Sequence, residues 1–278
     1  MRLVSFESQG RGGVGAVRDG EISPLPLPGM VELIARGPDA ALRALEHADE
    51  RLPVGHVRVL PPVPAPPKLI GIGLNYRDHA AESGQPIPEK PVVFAKYPSA
   101  LAGPGAPIRI PADTEKVDYE VELAVVIARR VRNVAPEQAL DAVFGYAVFN
   151  DVSARDVQFS EGGQWTRGKS FDGFAPMGPY LVTADEVGDP QRLSLATRVN
   201  GETLQQGNTA EMIFSVAEIV SFLSRGATLL PGDVIATGTP AGVGAARDPP
   251  RFLRPGDEVE CEVEGLGVLR NPVEAGDG

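Results

Sequence analysis

The stretch VDYEVELAVVI, residues 117–127, carries an acid at every second position before it turns apolar. Side chains of an extended strand alternate between two faces. Tyr119, Val121, Leu123, Val125 and Ile127 then share one apolar face, while Asp118, Glu120 and Glu122 open the other, which continues with Ala124 and Val126. A solvated face is the ordinary reading of alternating acids. The apolar continuation instead sets these acids at the mouth of a core. There a carboxylate costs several kcal/mol to bury without a counter-charge.

A further acid has a similar setting. VFGYAVFND is an apolar strand that ends in Asn150-Asp151, and strand ends that feed loops commonly display functional groups. Glu120, Glu122 and Asp151 together offer three hard oxygen donors, a set that suits Mg²⁺ or Mn²⁺. Such a cation is the counter-charge the strand lacks. In NYRDHAAE, His79 and Glu82 stand three apart, on one face of a short helix. A carboxylate beside an imidazole fixes its tautomer and raises its basicity; a surface ion pair is the plain alternative. Lys169, in RGKSFD, lies in a turn-like, aromatic-rich context that suits a site loop as well as a surface lysine. Ser153, Thr166 and Ser170 have no histidine nearby in sequence and are not expected as nucleophiles. His47 reads as a surface residue of a charged helix, and His56 is given no role.

The elements that must position these groups are mostly strands. LIGIGLNY, PVVFAKY, YEVELAVVIA, VFGYAVFND, YLVTADEV, LATRVNGETL, DVIATGT and DEVECEVEG alternate or run apolar between Gly and Pro. APEQALDAVF and SVAEIVSFLS are the best helices, and Asn200-Gly201 is a strong hairpin signal. Residues 1–64 read as a small α+β unit: strands in RLVSFES and VGAVRDGEISPL, turns at 10–13 and 19–20, and a helix over 39–52. PPVPAPPK (61–68) is a proline-rich spacer, so the second domain is placed at 65–278. GRGGVG (10–15) has the spacing of a dinucleotide loop, but an alternating, breaking segment follows it where a helix would be required, so a hairpin turn is expected.

Composition narrows the class. A chain of 278 residues allows one large domain, or a core domain with a small one. One cysteine, Cys261, excludes an internal disulfide and suits a reducing compartment. There is no basic-then-apolar leader and no apolar run of about 18 residues, so a cytoplasmic protein without membrane attachment is expected. The formal charge of -11 disfavours nucleic acid and anionic membranes as partners. Abundant Gly (32) and Pro (27) with few helical patterns point to a mixed α+β, mostly β fold.

GIGLNYRDHAAE, PVVFAKYPSAL, DYEVELAVVI, NDVSARDVQ, GGQWTRGKSFDGFAPMGPYLVT, NGETLQQGNTAEMIFS and LPGDVIATGTPAGVG follow one another in a single order. Together, from about Leu69 to Val268, they resemble the fumarylacetoacetate hydrolase family. The resemblance implies a β-sandwich or roll core behind a small N-terminal α+β domain, and a homodimer. It implies metal ligation by Glu120, Glu122 and Asp151, and a lid in which His79 and Glu82 activate water. Lys169 would stabilise an enolate or carboxylate oxygen. Arg155 and Gln158 would bind substrate or support the metal ligands, though Arg155 suits a structural ion pair equally. Thr239, in ATGTP, would offer its hydroxyl, and its loop backbone N–H groups, to a substrate carboxylate. The substrates implied are 2-oxo or 2,4-dioxo acids. The expected activity is metal-dependent hydrolysis of a C–C bond in an acylpyruvate, with decarboxylation or keto–enol isomerisation as the alternative.

Overall fold

The computed structural model describes every residue except His47, Asp49, Glu161, Asp277 and Gly278. The surface position expected for His47 therefore lies outside the described residues. Among those residues the strands form a 12-stranded sheet, a five-stranded sheet and a two-stranded ribbon. The fold is mixed α+β and mostly β, as the sequence pattern implies.

The centre of the large sheet is Ala175–Thr183, Val143–Asn150, Val121–Ile127 and Val234–Ala236, paired antiparallel in that order. Leu69–Gly73 follows in parallel, and Val92–Ala95 pairs beyond it. Val121–Ile127 and Val143–Asn150 are buried along their whole lengths. The alternation explains why. Val121, Leu123, Val125 and Ile127 enter one hydrophobic core, and Ala124 and Val126 enter another on the opposite side of the sheet. A strand covered on both faces must be apolar on both, so Glu120 and Glu122 mark where that double cover gives way to a cavity.

The large sheet runs on across the 64/65 boundary. Arg2–Ser8 pairs with Ala175–Thr183 through Arg2↔Val182 and Leu3↔Leu181, and Leu3, Val14 and Leu33 share a core with Phe149 and Met177. Several details of this segment depart from the sequence expectation. A helix at Met30–Arg36 buries Met30, Leu33 and Ile34, and the helix expected over 39–52 is Pro38–Leu45. Leu52 instead pairs with Ile22 as a strand, a contact set by the sheet and not by local propensity. The turn expected over 10–13 is instead at Gln9 and Gly10, both at positive φ, and Arg11–Arg18 is already a strand. Gly13 sits under the Phe6 ring, where a Cβ would come within 2.9 Å. No helix follows the motif, in line with a hairpin.

The five-stranded sheet holds Ser194–Val199 and Glu202–Asn208, joined at Asn200 and Gly201 with φ of 53° and 81°. Positive φ at both positions suits the tight hairpin turn that Asn-Gly favours. Gly267–Ala275, which the sequence pattern did not reveal, completes this sheet's pairing with Glu258–Val263. No helix among the described residues is long and apolar enough to cross a membrane.

Candidate active site

The strand reading of 117–127 breaks at Tyr119 and Glu120. Val117–Asp118 pairs with Ser153–Ala154, whereas Val121 onward pairs with Val143–Asn150. Side chains take over the backbone N–H groups in the gap. Tyr119 N–H donates to Asp118 Oδ1 at 2.9 Å, Glu120 N–H to Asn150 Oδ1 at 3.0 Å, and Val121 N–H to Gln205 Oε1 at 3.1 Å. The break gives neighbouring acids different tasks. All three are buried: Asp118 is 0%, Glu120 5% and Glu122 2% exposed, so a solvated face is excluded.

Asp118 faces inward, accepting Arg155 Nε at 2.9 Å and the N–H groups of Gly244 and Ala245 at 2.7 and 3.0 Å. Glu120, Glu122 and Asp151 converge, with one oxygen from each lying within 4.8 Å of the others. Lys169 Nζ reaches Glu120 at 2.9 Å, Asp151 at 2.6 Å and Ser153 Oγ at 2.8 Å. Arg155 Nη2 adds a bond to Glu120 at 2.6 Å, and its Nη1 donates to Gln158 Oε1 at 3.1 Å. Lys96, which the sequence reading did not single out, pairs with the other oxygen of Asp151 and donates to Val152 C=O at 3.2 Å. Its only sequence signal is a lysine directly after an apolar strand.

Charge balance shows where a cation fits. The four buried acids face three buried cations, Arg155, Lys169 and Lys96. Burial opposes ionisation of Glu120, but Lys169, Arg155 and His79 outweigh it and hold that carboxyl far below the usual range. Glu122 goes the other way. Burial, then Asp151 and Glu120, push it well above the usual range. Among the described residues its one hydrogen bond comes from Gly238 N–H, at 2.8 Å. An under-compensated carboxylate beside two more is what a divalent cation would relieve, and three carboxylates are hard donors. The triad can hold a metal ion. Burial also draws Lys96 down to about 8 against the pull of Asp151, while Lys169 is held above its ordinary value because Asp151 and Glu120 outweigh its burial.

The imidazole comes from the short helix Arg77–Glu82. His79 Nδ1 meets Glu82 Oε1 at 2.7 Å, and Glu82 Oε2 accepts Gly242 N–H at 2.8 Å. With Nδ1 engaged, Nε2 is the nitrogen available to a bound molecule. Asn75 fixes the approach to this helix, exchanging hydrogen bonds with Phe214 N–H and C=O and donating to Thr237 C=O. Just before it, Leu74 adopts φ 51°, an uncommon conformation for a bulky side chain.

His79, Glu82, Glu120, Glu122, Asp151, Arg155, Gln158, Lys169 and Thr239 all line one cavity of about 460 Å³. A roomier cleft of about 750 Å³ lies beside Arg2, Arg18, Arg51 and Tyr180, away from these groups; the chemistry favours the smaller one. Thr239 differs from expectation in one respect. Its hydroxyl donates to Val121 C=O at 2.9 Å and accepts Gln205 Nε2 at 2.8 Å, so its single proton is already engaged. The Thr239 backbone N–H has no hydrogen bond among the described residues. Gln205 was also not foreseen, because its partners lie 34 and 84 residues away.

The fold and site define a class. Residues 68–274 match the family model described as fumarylacetoacetate (FAA) hydrolase C-terminal, and the chain belongs to the fumarylacetoacetate hydrolase family. It is 44% identical to "Oxaloacetate tautomerase FAHD2A, mitochondrial" of Bos taurus, over 98% of this chain and 91% of that protein. It is similar to the fumarylacetoacetate hydrolase of the psychrophile Exiguobacterium antarcticum, with a TM-score of 0.89 and 43% identity over 99% of this chain and all of that one. The 2-hydroxyhepta-2,4-diene-1,7-dioate isomerase of Mycobacterium marinum superposes with a TM-score of 0.82 at 36% identity, covering 100% of each chain. The protein is an enzyme of this family.

Proposed function

We propose that this enzyme forms and protonates the enolate of a 2-oxo acid, and that keto–enol tautomerisation of oxaloacetate or a related acid is the first reaction to seek. The observation that carries the proposal is the single cavity in which a buried carboxylate triad, an ammonium and a carboxylate-oriented imidazole meet. Mg²⁺ or Mn²⁺ held by Glu120, Glu122 and Asp151 would supply Lewis acidity toward the 2-oxo group. His79 Nε2 takes the proton from C3, and Glu82 holds the ring in place through Nδ1. Lys169 stabilises the negative charge that gathers on the 2-oxo oxygen. Delivery of the proton to that oxygen completes the enol, and the reverse path regenerates the ketone. Gln158 Nε2 and Thr239 N–H are assigned to the substrate's polar groups, and Arg155 to holding Glu120.

Hydrolysis of an acylpyruvate C–C bond is the second reading, favoured by the His79–Glu82 dyad. There His79 takes a proton from water, hydroxide adds to the distal carbonyl, and the C–C bond breaks to leave the pyruvate enolate beside Lys169. Metal-stripped protein, with and without Mg²⁺ or Mn²⁺, is assayed for loss of the oxaloacetate enol absorbance and for pyruvate release from acylpyruvates. Metal-dependent enol loss without pyruvate release supports tautomerisation. Pyruvate release from acylpyruvates makes the enzyme a hydrolase, and silence on both counts against the enolate proposal. A cytoplasmic homodimer is proposed alongside; light scattering should return twice the chain mass.

A further inference from the structure

Gly71 and Gly73 stand two apart on Leu69–Gly73 and so share a face of that strand. A Cβ on Gly71 would lie 2.1 Å from Phe94 Cζ, and one on Gly73 would lie 2.2 Å from Trp165 Cζ3. The two glycines thus leave room for two aromatic rings to rest on the strand. Those rings meet edge to face, with centroids 5.6 Å apart at 60°. Lys169 Nζ, which touches Glu120 and Asp151, lies 5.0 Å from the Phe94 centroid. The aromatic pair therefore begins where the carboxylates end.

Trp165 also opens the turn that delivers the ammonium. Lys169 N–H donates to Trp165 C=O at 3.1 Å, so the ring and the lysine are fixed by one short element, Trp165–Gly168. Phe94 and Trp165 both line the cavity. A substrate whose 2-oxo acid end lies at the triad must extend its other end along these rings or toward His79. Resting on the proposed function, we infer that Trp165, seated on Gly73, is a specificity-determining residue that sets how bulky a group the site accepts at the far end of a 2-oxo acid.

The test measures binding and does not depend on turnover. Trp165 is the chain's one tryptophan, so its fluorescence reports occupancy of this site directly. Pyruvate, 2-oxobutyrate, 4-methyl-2-oxopentanoate and phenylpyruvate are titrated by calorimetry in the presence of Mn²⁺, with fluorescence followed in the wild type. Trp165→Ala is expected to shift the phenylpyruvate-to-pyruvate affinity ratio at least tenfold toward phenylpyruvate. Trp165→Phe, which keeps a ring and protects the fold, shifts it by less in the same direction. Gly73→Ala lifts the ring off the strand and shifts the ratio the opposite way. Equal weakening of all ligands, with the ratio unmoved, overturns the assignment of Trp165 and leaves the proposed function intact. Failure of every one of these acids, and of oxaloacetate titrated beside them, to bind or to move the fluorescence overturns both.

Discussion

The Glu82 carboxylate accepts the Gly242 N–H at 2.8 Å across 160 residues of sequence, while its other oxygen meets His79. One side chain thereby ties the helix that carries the imidazole to the loop whose Val243 and Ala245 also line the cavity. Gly242 suits that role because its φ is 103° and a Cβ would lie 2.3 Å from Leu204 C=O. Glu82→Gln keeps the size but offers only one acceptor oxygen to two N–H donors. Its kcat should fall about 100-fold, the scale of a displaced general base, with KM little changed. Steady-state kinetics check this, and a kcat near wild type would count against a proton-transfer role for the pair.

Glu122 is the acid with least compensation, so its removal should act in two directions. Glu122→Gln should weaken Mn²⁺ binding, measured by calorimetry, by about 100-fold or more, beyond the 10–100-fold typical of groups that only support a ligand. In chelator, where no cation is bound, the same variant should melt higher, because three crowded carboxylates become two. A variant that loses both metal affinity and chelated stability would contradict the charge balance described above.

Lys96 is wholly buried against Asp151. Lys96→Met removes one of the two lysines on that carboxylate, and breaking a buried pair costs about 3–5 kcal/mol. Urea unfolding in chelator should show a loss of that order. Lys96→Arg should not restore it, since the planar guanidinium has no room at a site with no exposure.

Asp257 provides the pH test. Burial alone would raise it, but hydrogen bonds from Asn200, from Arg254 N–H and from Arg251 outweigh burial and hold its carboxyl below the usual range. A folded value below the unfolded one, about 3.9, gives stability that is complete above that pH and is lost as pH falls through the folded value. Asp257→Asn should therefore cost about 1–3 kcal/mol at pH 7, and the deficit should shrink as both proteins are melted at progressively lower pH. A deficit independent of pH would assign the loss to packing.

The acids were legible because their signal is local: Glu120 and Glu122 sit two apart in an alternating sequence, and His79 and Glu82 three apart on a helix. What stayed hidden was the choice of partner. Asp118 belongs to the same alternation, yet it turns to Arg155 because the strand changes sheets at Tyr119 and Glu120, and that crossing is decided by pairing with residues about 35 positions away. Lys96 was only a lysine following an apolar strand until the fold brought Asp151 onto it. The helix at Met30–Arg36 carried a visible i, i+3, i+4 pattern in Met30, Leu33 and Ile34, but spread over only 7 residues. The overlong helix after it failed for the opposite reason, since a non-local strand pair claimed Leu52.

Gln205 uses its whole amide: two acceptances, from Val121 N–H and the Thr197 hydroxyl, and two donations, to the Thr239 hydroxyl and Pro240 C=O. It rises from the hairpin of the five-stranded sheet, yet half of these bonds lie in the loop beside the cavity. Water cannot reach this amide without releasing Val121 and Thr239 together. The small sheet and the site are therefore expected to open together, so the backbone amide protons of the buried hairpin residues Leu204 and Gln205 should exchange no faster than that of Val121.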